Sequence, residues 1–350
     1  MKASSYTSNS KKKKPKWLNL TLFIIILLIL LHYIGNYYEK ISNENAIISD
    51  YKKTWMEFYD LEPNSIDLVF IGSSHSYCTF DPEIIDNALG TNSFNFGSPL
   101  QHADSSYYIL KEILKYHKPK AVVFEIYWDM IDDEFELKQA DTVINAINNN
   151  EFKREFIYNV FPINEMIKYV FRPVRFQQDM FSYWNKKLVE NVEKYIEPIE
   201  KKQNNVEGVS HYKSKGFIYS DIIIPEEKFY KTNQFIGFDG AKWDFNNTQK
   251  SYVEKLVQLC NKKDIKVVFV TAPVANISME HINNYDILHN KISNFAKKLD
   301  VPYIDYNIVN KEKKLLVNEN FRDDAHLNYS GVEIVMKDFI NWYKKILNNY

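Results

Sequence analysis

The chain has 350 residues, of which 45% are apolar, and it carries 44 basic against 45 acidic side chains. This length and composition exclude a wholly disordered chain and allow one large domain or two small ones. The balanced charge, with no long basic stripe in the part expected to fold, argues against nucleic-acid binding. Two cysteines, Cys78 and Cys260, are too few for a disulfide scaffold, although the sequence leaves one bond between them open.

The N-terminus predicts a membrane anchor. Lysines at 11–14 and 16 precede an apolar run from Trp17 to Tyr38, which has about the 20 residues that a helix needs to cross a bilayer. A cleaved signal peptide is the alternative, but residues 34–45 lack small residues at the alternating positions that cleavage needs. We therefore expect a cytoplasmic tail at 1–16, one membrane-spanning helix, a stalk at 39–64 and an extracytoplasmic domain from residue 65 onward.

Beyond the stalk, apolar strands alternate with helices. Asp81 followed by Pro82 is a typical helix start. Strands of continuous apolar residues between helices indicate a parallel sheet that is covered on both faces, so the predicted fold class is a three-layer α/β domain. The predicted strands lie near 66–72, 93–97, 121–128, 266–273 and 302–306, and the helices at 81–89, 103–117, 247–263, within 278–299 and after 330.

Residues 131–244 interrupt this alternation with a segment rich in Asn, Lys, Glu and aromatic side chains. A loop of that length without secondary structure is improbable in a compact domain, so we expect a largely helical insertion, with helices near 164–171 and 183–195. Its aromatic residues either form a groove for sugar rings or a small core of their own. The residues in question include Phe181, Tyr183 and Trp184.

Two motifs fall where ligands bind in parallel sheets, beyond the carboxyl ends of the strands. Ser74 follows the first strand, and Asp323 and His326 follow the last. A serine hydroxyl needs a base to take its proton, and a carboxylate orients that base. Alone, the first motif is also explained by a polar turn and the second by a helix-capping loop, but together they predict a Ser74, His326, Asp323 triad. The sequence has no zinc-type Cys/His cluster and no phosphate loop, so no metal or other cofactor is expected.

These motifs resemble those of the GDSL/SGNH hydrolase superfamily. Gly72-Ser73-Ser74 matches its first block with Ser in place of Asp, and Asp323 with His326 matches its last block, Asp-x-x-His. The resemblance implies a flavodoxin-like α/β fold in which Ser74 is the nucleophile. It also implies that the backbone N–H groups of Ser74 and Gly97 bind the oxyanion.

One block departs from the superfamily pattern. The segment FEIYWDM lacks the asparagine that normally completes the oxyanion hole, and losing such a donor costs about a hundred- to a thousandfold in rate. Tyr127, His75 and Asn95 are the candidates to replace it. His75 and Tyr127 are also the residues that we expect to contact substrate.

The anchor, the Gly-Ser-Ser opening and the insertion resemble DltD and related SGNH-like proteins that acylate cell-surface polymers. This resemblance implies transfer of an acetyl or D-alanyl group to a polysaccharide or teichoic acid, with a polytopic membrane-bound O-acyltransferase as partner. Transfer to water instead would make the protein an esterase. The alternative is a non-catalytic, polysaccharide-binding accessory protein, which the missing asparagine favours.

Overall fold

The computed structural model describes residues 16–45, 50–175, 210–223 and 232–348. The chain divides into two units, which are considered separately. One is the α/β unit, Ile48–Phe161 with Gln203–Tyr350, and the other is a smaller unit, Met1–Ile47 with Pro162–Lys202. The predicted helix at 183–195 and the aromatic residues 181, 183 and 184 lie outside the described residues.

The helices are named here in chain order. They are α1 (Lys16–Asn45), α2 (Asp50–Tyr59), α3 (Ser74–Thr79), α4 (Pro82–Leu89), α5 (Ala103–Tyr116), α6 (Trp128–Asp132), α7 (Leu137–Ala146), α8 (Asn150–Val160), α9 (Ile163–Val170), α10 (Arg172–Arg175), α11 (Asn247–Asn261), α12 (Asn276–His281), α13 (Tyr285–Lys298), α14 (Tyr306–Lys313) and α15 (Tyr329–Asn348).

The strands confirm the predicted fold class. They are β1 (Leu68–Ile71), β2 (Ser93–Asn95), β3 (Ala121–Glu125), β4 (His211–Ser214), β5 (Phe217–Tyr219), β6 (Lys266–Thr271) and β7 (Tyr303–Asp305). Five of them form a parallel sheet in the order β2-β1-β3-β6-β7. Counted along the chain this is the order 2-1-3-4-5 of flavodoxin-like domains.

The sheet is buried between two helix layers because its strands are apolar on both sides. Every residue of β1 and β3 is buried. On one face, Phe70 and Val268 belong to the same apolar cluster as Phe339 of α15. On the other layer, α5 packs against α11, which in turn packs against β6. Asp81 caps α4 through its side chain, as the sequence predicts.

The structure corrects the predicted stalk at 39–64. Helix α1 continues to Asn45, and α2 belongs to the α/β unit. Trp55 and Phe58 of α2 are 3% and 1% exposed, and the ring centroids of Phe58 and Phe96 are 5.0 Å apart. Two aromatic side chains bury enough apolar area to hold so polar a helix on the sheet.

The insertion also contains an antiparallel hairpin, β4–β5, that the sequence did not predict. It covers the edge strand β2, where the Asn95 N–H donates to the Lys215 carbonyl at 2.9 Å. Gly216, with φ of 82°, allows this approach, since a Cβ there would lie 1.8 Å from the Asn95 carbonyl oxygen. The hairpin therefore protects an otherwise open sheet edge.

Candidate active site

A sharp turn follows β1 and sets the position of Ser74. Ser73 caps α3, because its Oγ accepts the His75 N–H at 3.2 Å, and Ser74 is the first residue of that helix. Gly72 and Gly97 let neighbouring segments approach this turn closely. A Cβ on Gly72 would lie 2.6 Å from Glu125 Cβ, and one on Gly97 would lie 2.8 Å from the Ser73 carbonyl oxygen. Any side chain at either glycine would displace the turn.

The three residues of the predicted triad lie in hydrogen-bond contact. Ser74 Oγ is 2.8 Å from His326 Nε2, and His326 Nδ1 is 2.9 Å and 3.0 Å from the two carboxylate oxygens of Asp323. With Asp323 accepting the Nδ1 proton, Nε2 is free to accept the proton of the Ser74 hydroxyl. The turn after β1 and the loop between α14 and α15 meet in this way on a sheet of the order 2-1-3-4-5, which gives the chain the SGNH-like fold that its motifs predict.

The Asp-x-x-His spacing has a local explanation. Asp323 Oδ1 accepts the N–H groups of Ala325 at 2.9 Å and His326 at 2.7 Å, so the carboxylate that holds the imidazole also closes the turn. Burial works to raise the pKa of the Asp323 carboxyl. The hydrogen bonds from His326 and the charge of Arg322 outweigh burial and hold that pKa well below its usual range. Asp323 is therefore ionised at neutral pH.

The neighbouring residue, Asp324, has a different partner. Its two oxygens accept the backbone N–H and the side-chain Nε2 of Gln234, both at 2.8 Å. Its carbonyl accepts the hydroxyl of Ser278 at 2.7 Å. Asp324 thus binds the returning end of the insertion to this loop, and Asp323 alone contacts the imidazole.

The groups proposed for the oxyanion hole differ in whether their N–H groups already have an acceptor. The Gly97 N–H donates to Asn95 Oδ1 at 3.0 Å, so this donor is already engaged. Asn95 Nδ2 donates to the Ser76 and Phe80 carbonyls, both at 3.0 Å, which uses both amide hydrogens and excludes Asn95 as the replacement donor. The Ser74 N–H opens α3, where the first N–H groups have no acceptor within the helix.

The buried rings of His75 and Tyr127 lie beside the imidazole of His326. Their rings are stacked with centroids 4.1 Å apart, and the His75 ring lies 4.9 Å from that of His326. They are only 2% and 4% exposed. Burial lowers the pKa of His75 well below its ordinary value, and repulsion from His326 acts in the same direction when that imidazole is protonated, so His75 is neutral. Their predicted contact with substrate stays a prediction.

Glu125 supports the turn and was missed by the sequence analysis. Its Oε2 accepts both the N–H and the hydroxyl of Ser73, each at 2.9 Å, from a side chain that is almost wholly buried. Burial raises the pKa of Glu125 to about 7, although the two Ser73 hydrogen bonds act to lower it. The available signal was a single carboxyl at the end of the apolar strand β3.

The two cysteines are thiols, and the Sγ of Cys78 accepts a hydrogen bond from Arg322 Nη2 at 3.3 Å. Cys78 and Cys260 are free and buried, so the disulfide that the sequence left open does not form. Burial raises the pKa of each thiol to about 12. In the described ranges, no group of three or more His, Cys, Asp or Glu side chains is arranged to hold a metal ion.

A family model described as "Protein of unknown function (DUF1574)" matches residues 17–341. The chain belongs to the DUF1574 family. This match spans both the apolar N-terminal segment and nearly all of the α/β unit, including Ser74, Asp323 and His326. No curated protein matches the chain.

Solved structures similar to this DUF1574 protein include three esterases or lipases. A GDSL-like lipase from Bacteroides thetaiotaomicron is 11% identical, with 84% of this chain and 98% of that chain covered and a TM-score of 0.38. The acetyl xylan esterase AlAXEase is 14% identical, with 80% and 99% covered and a TM-score of 0.38. An acetyl xylan esterase from the rumen bacterium Butyrivibrio proteoclasticus is 8% identical, with 83% and 66% covered and a TM-score of 0.32.

Proposed function

We propose that this DUF1574 protein is an SGNH-type serine esterase or O-acyltransferase. The observation that carries the proposal is the continuous hydrogen-bonded chain from Ser74 through His326 to Asp323. A nucleophile, a base and an orienting carboxylate in this order are the parts needed for acyl transfer through a covalent intermediate.

In the first step, the Ser74 oxygen attacks the carbonyl carbon of an ester while its proton passes to His326 Nε2. The Ser74 N–H stabilises the oxyanion, and Gly97 can add a second donor if its N–H leaves Asn95. The tetrahedral intermediate then collapses and His326 returns the proton to the departing alcohol oxygen. The product of this step is an acyl ester on Ser74.

In the second step, His326 removes a proton from an incoming hydroxyl, which attacks the acyl ester and restores the free serine. Water as the incoming group releases a carboxylic acid, whereas a sugar hydroxyl forms a new ester. The same three residues serve both outcomes, so the acceptor decides whether the protein is an esterase or a transferase.

The proposed setting is the outer face of a cell membrane. Helix α1 contains a segment, Trp17–Tyr38, that is long and apolar enough to cross a bilayer, a property shared with signal sequences. The lysines before it favour a cytoplasmic N-terminus. From its motifs we further propose acetyl or D-alanyl groups of a surface polysaccharide or teichoic acid as substrate, and a polytopic O-acyltransferase as partner.

A non-catalytic accessory protein is the second candidate. It is favoured by the engagement of the Gly97 N–H with Asn95 and by the absence of the third-block asparagine. Such a protein would bind polysaccharide through the same face of the sheet without forming an acyl ester.

The test uses the full-length chain in detergent micelles, with p-nitrophenyl acetate as donor and a soluble oligosaccharide as acceptor. Release of nitrophenol that Ser74→Ala abolishes, and that the control Ser251→Ala on the surface of α11 retains, supports catalysis. Acetate as product then indicates an esterase, and acetylated oligosaccharide indicates a transferase. Oligosaccharide binding without any nitrophenol release by the folded chain supports the accessory protein.

A further inference from the structure

Helix α9, in the smaller unit, presents an apolar stripe to its surroundings. Ile163, Ile167 and Val170 are 66%, 51% and 61% exposed. Their spacing of four and three residues puts them on one face of the helix. The opposite side carries Glu165 and Lys168, which form an ion pair at 2.8 Å. This amphipathic pattern is typical of helices that lie at a membrane surface.

The smaller unit also fixes where this helix ends relative to α1. A cavity of about 420 Å³ lies between α1 and the end of α9, and its walls come from both. They are formed by Leu28, His32, Tyr169, Val170, Phe171 and Pro173. Helix α10, which follows directly, packs against α1. The end of α9 therefore lies beside the segment that is apolar enough to cross a bilayer.

The depth follows from helix geometry. Tyr38 ends the apolar segment ten residues after Leu28, a distance of about 15 Å at 1.5 Å per residue. The hydrocarbon core of a bilayer is about 30 Å thick, so Leu28 lies near its middle and His32 in the half nearer Tyr38. The end of α9 thus reaches the leaflet on the Tyr38 side, where aliphatic side chains meet acyl chains.

We propose that α9 enters the bilayer leaflet on the Tyr38 side and that its face of Ile163, Ile167 and Val170 contacts lipid acyl chains. The proposal goes beyond the catalytic function and rests on α1 being an uncleaved membrane helix. Lipid is the occupant because the apolar stripe continues into the cavity wall shared with α1, at Val170. The ion pair of Glu165 with Lys168 lies on the opposite face of the helix, away from these acyl chains. The insertion is in this way a second membrane attachment of the chain.

The experiment places one fluorescent label on each side of α9. Ile167→Cys and the control Lys168→Cys are labelled with an environment-sensitive dye in the full-length chain and reconstituted into phosphatidylcholine and phosphatidylglycerol vesicles. Cys78 and Cys260 are buried, and the unsubstituted chain reports any labelling of them. Emission is then quenched with either a nitroxide-labelled acyl chain or aqueous iodide.

The expected result is a blue-shifted label at residue 167 that the lipid nitroxide quenches several-fold more strongly than the label at residue 168, with the reverse order for iodide. Equal iodide quenching at both positions overturns the proposal, because the helix is then in water. Protection of residue 167 from both quenchers also overturns it and indicates a protein surface there. If the chain does not float with the vesicles, α1 is not a membrane anchor, and the proposal for α9 fails with it. Ester hydrolysis in the same sample reports the catalytic proposal separately.

Discussion

Replacing Glu125 by Gln should change how stability depends on pH. Gln keeps the shape of the side chain and a carbonyl oxygen for Ser73, but it cannot titrate. The pKa of Glu125 rises from its ordinary 4.5 to about 7 on folding, because burial disfavours the charged carboxylate. The folded chain therefore binds this proton more tightly than the unfolded chain between these two pH values.

The effect of Glu125 on the free energy of unfolding has a definite sign and size. The stability contributed by the protonated carboxyl is fully present below about pH 4.5 and is lost as the pH rises through 7. At about 1.4 kcal/mol per tenfold change in proton affinity, the loss approaches ~3 kcal/mol. The free energy of unfolding of the wild type should therefore fall by this amount relative to Glu125→Gln between about pH 4.5 and pH 8.

The assay is urea unfolding of the full-length chain in detergent micelles, followed by circular dichroism across this pH range. Asp132, whose pKa burial also raises to about 7, is present in both proteins and cancels in the difference. Glu134→Gln, which changes an exposed carboxyl, is the matched control and should follow the wild type. Parallel curves for wild type and Glu125→Gln would refute the assignment of a buried carboxyl that holds its proton.

Two further substitutions test the site and the fold. Asp323→Asn should lower kcat for p-nitrophenyl acetate by about 10⁴-fold, because the amide no longer holds His326 in the tautomer that accepts a proton at Nε2. The circular dichroism spectrum should stay unchanged. An unaltered kcat would contradict this role of Asp323. Gly216→Ala should lower the free energy of unfolding by more than about 2 kcal/mol in urea, because the added Cβ overlaps the Asn95 carbonyl. Gly90 also has a positive φ but lies in open space, so Gly90→Ala should cost about 1 kcal/mol. Equal losses for the two glycines would contradict the close approach of the hairpin.

The strands were predictable because their apolar runs admit one interpretation. The buried strand LVFI and the capped start of α4 at Asp81 follow from local patterns. Helix α2 was not recognised, since its sequence DYKKTWMEFY is largely polar and its buried apolar side chains are Trp55 and Phe58. The hairpin was missed for a similar reason. The hairpin approaches β2 closely at Gly216, and the sequence of the hairpin alone gives no sign of that contact.

The triad was predictable for a different reason. Ser74 directly follows the first strand, and Asp323 and His326 lie in a loop that α14 separates from the last strand. Both places lie at the carboxyl edge of the sheet, where parallel strands end. What surrounds the triad depends on distances between strands. The contact of Glu125 with Ser73 joins residues 52 positions apart, so the local sequence gives no sign of it. Asn95 is two residues from Gly97, but its side chain is also held by the Ser76 and Phe80 carbonyls, which local sequence does not indicate. The choice of Asp323 over Asp324 came from the Asp-x-x-His spacing of the superfamily, and in the structure Asp323 contacts His326.

The most direct test of Ser74 as the nucleophile is reaction of the full-length chain with a fluorophosphonate, followed by mass spectrometry of its peptides. We expect a single adduct on Ser74, absent from Ser74→Ala and strongly reduced in His326→Ala, because only a serine whose proton the imidazole accepts reacts at neutral pH. Ser251→Ala should label like the wild type. A folded wild-type chain without an adduct, or labelling that persists in Ser74→Ala, would contradict the claim that Ser74 is the nucleophile.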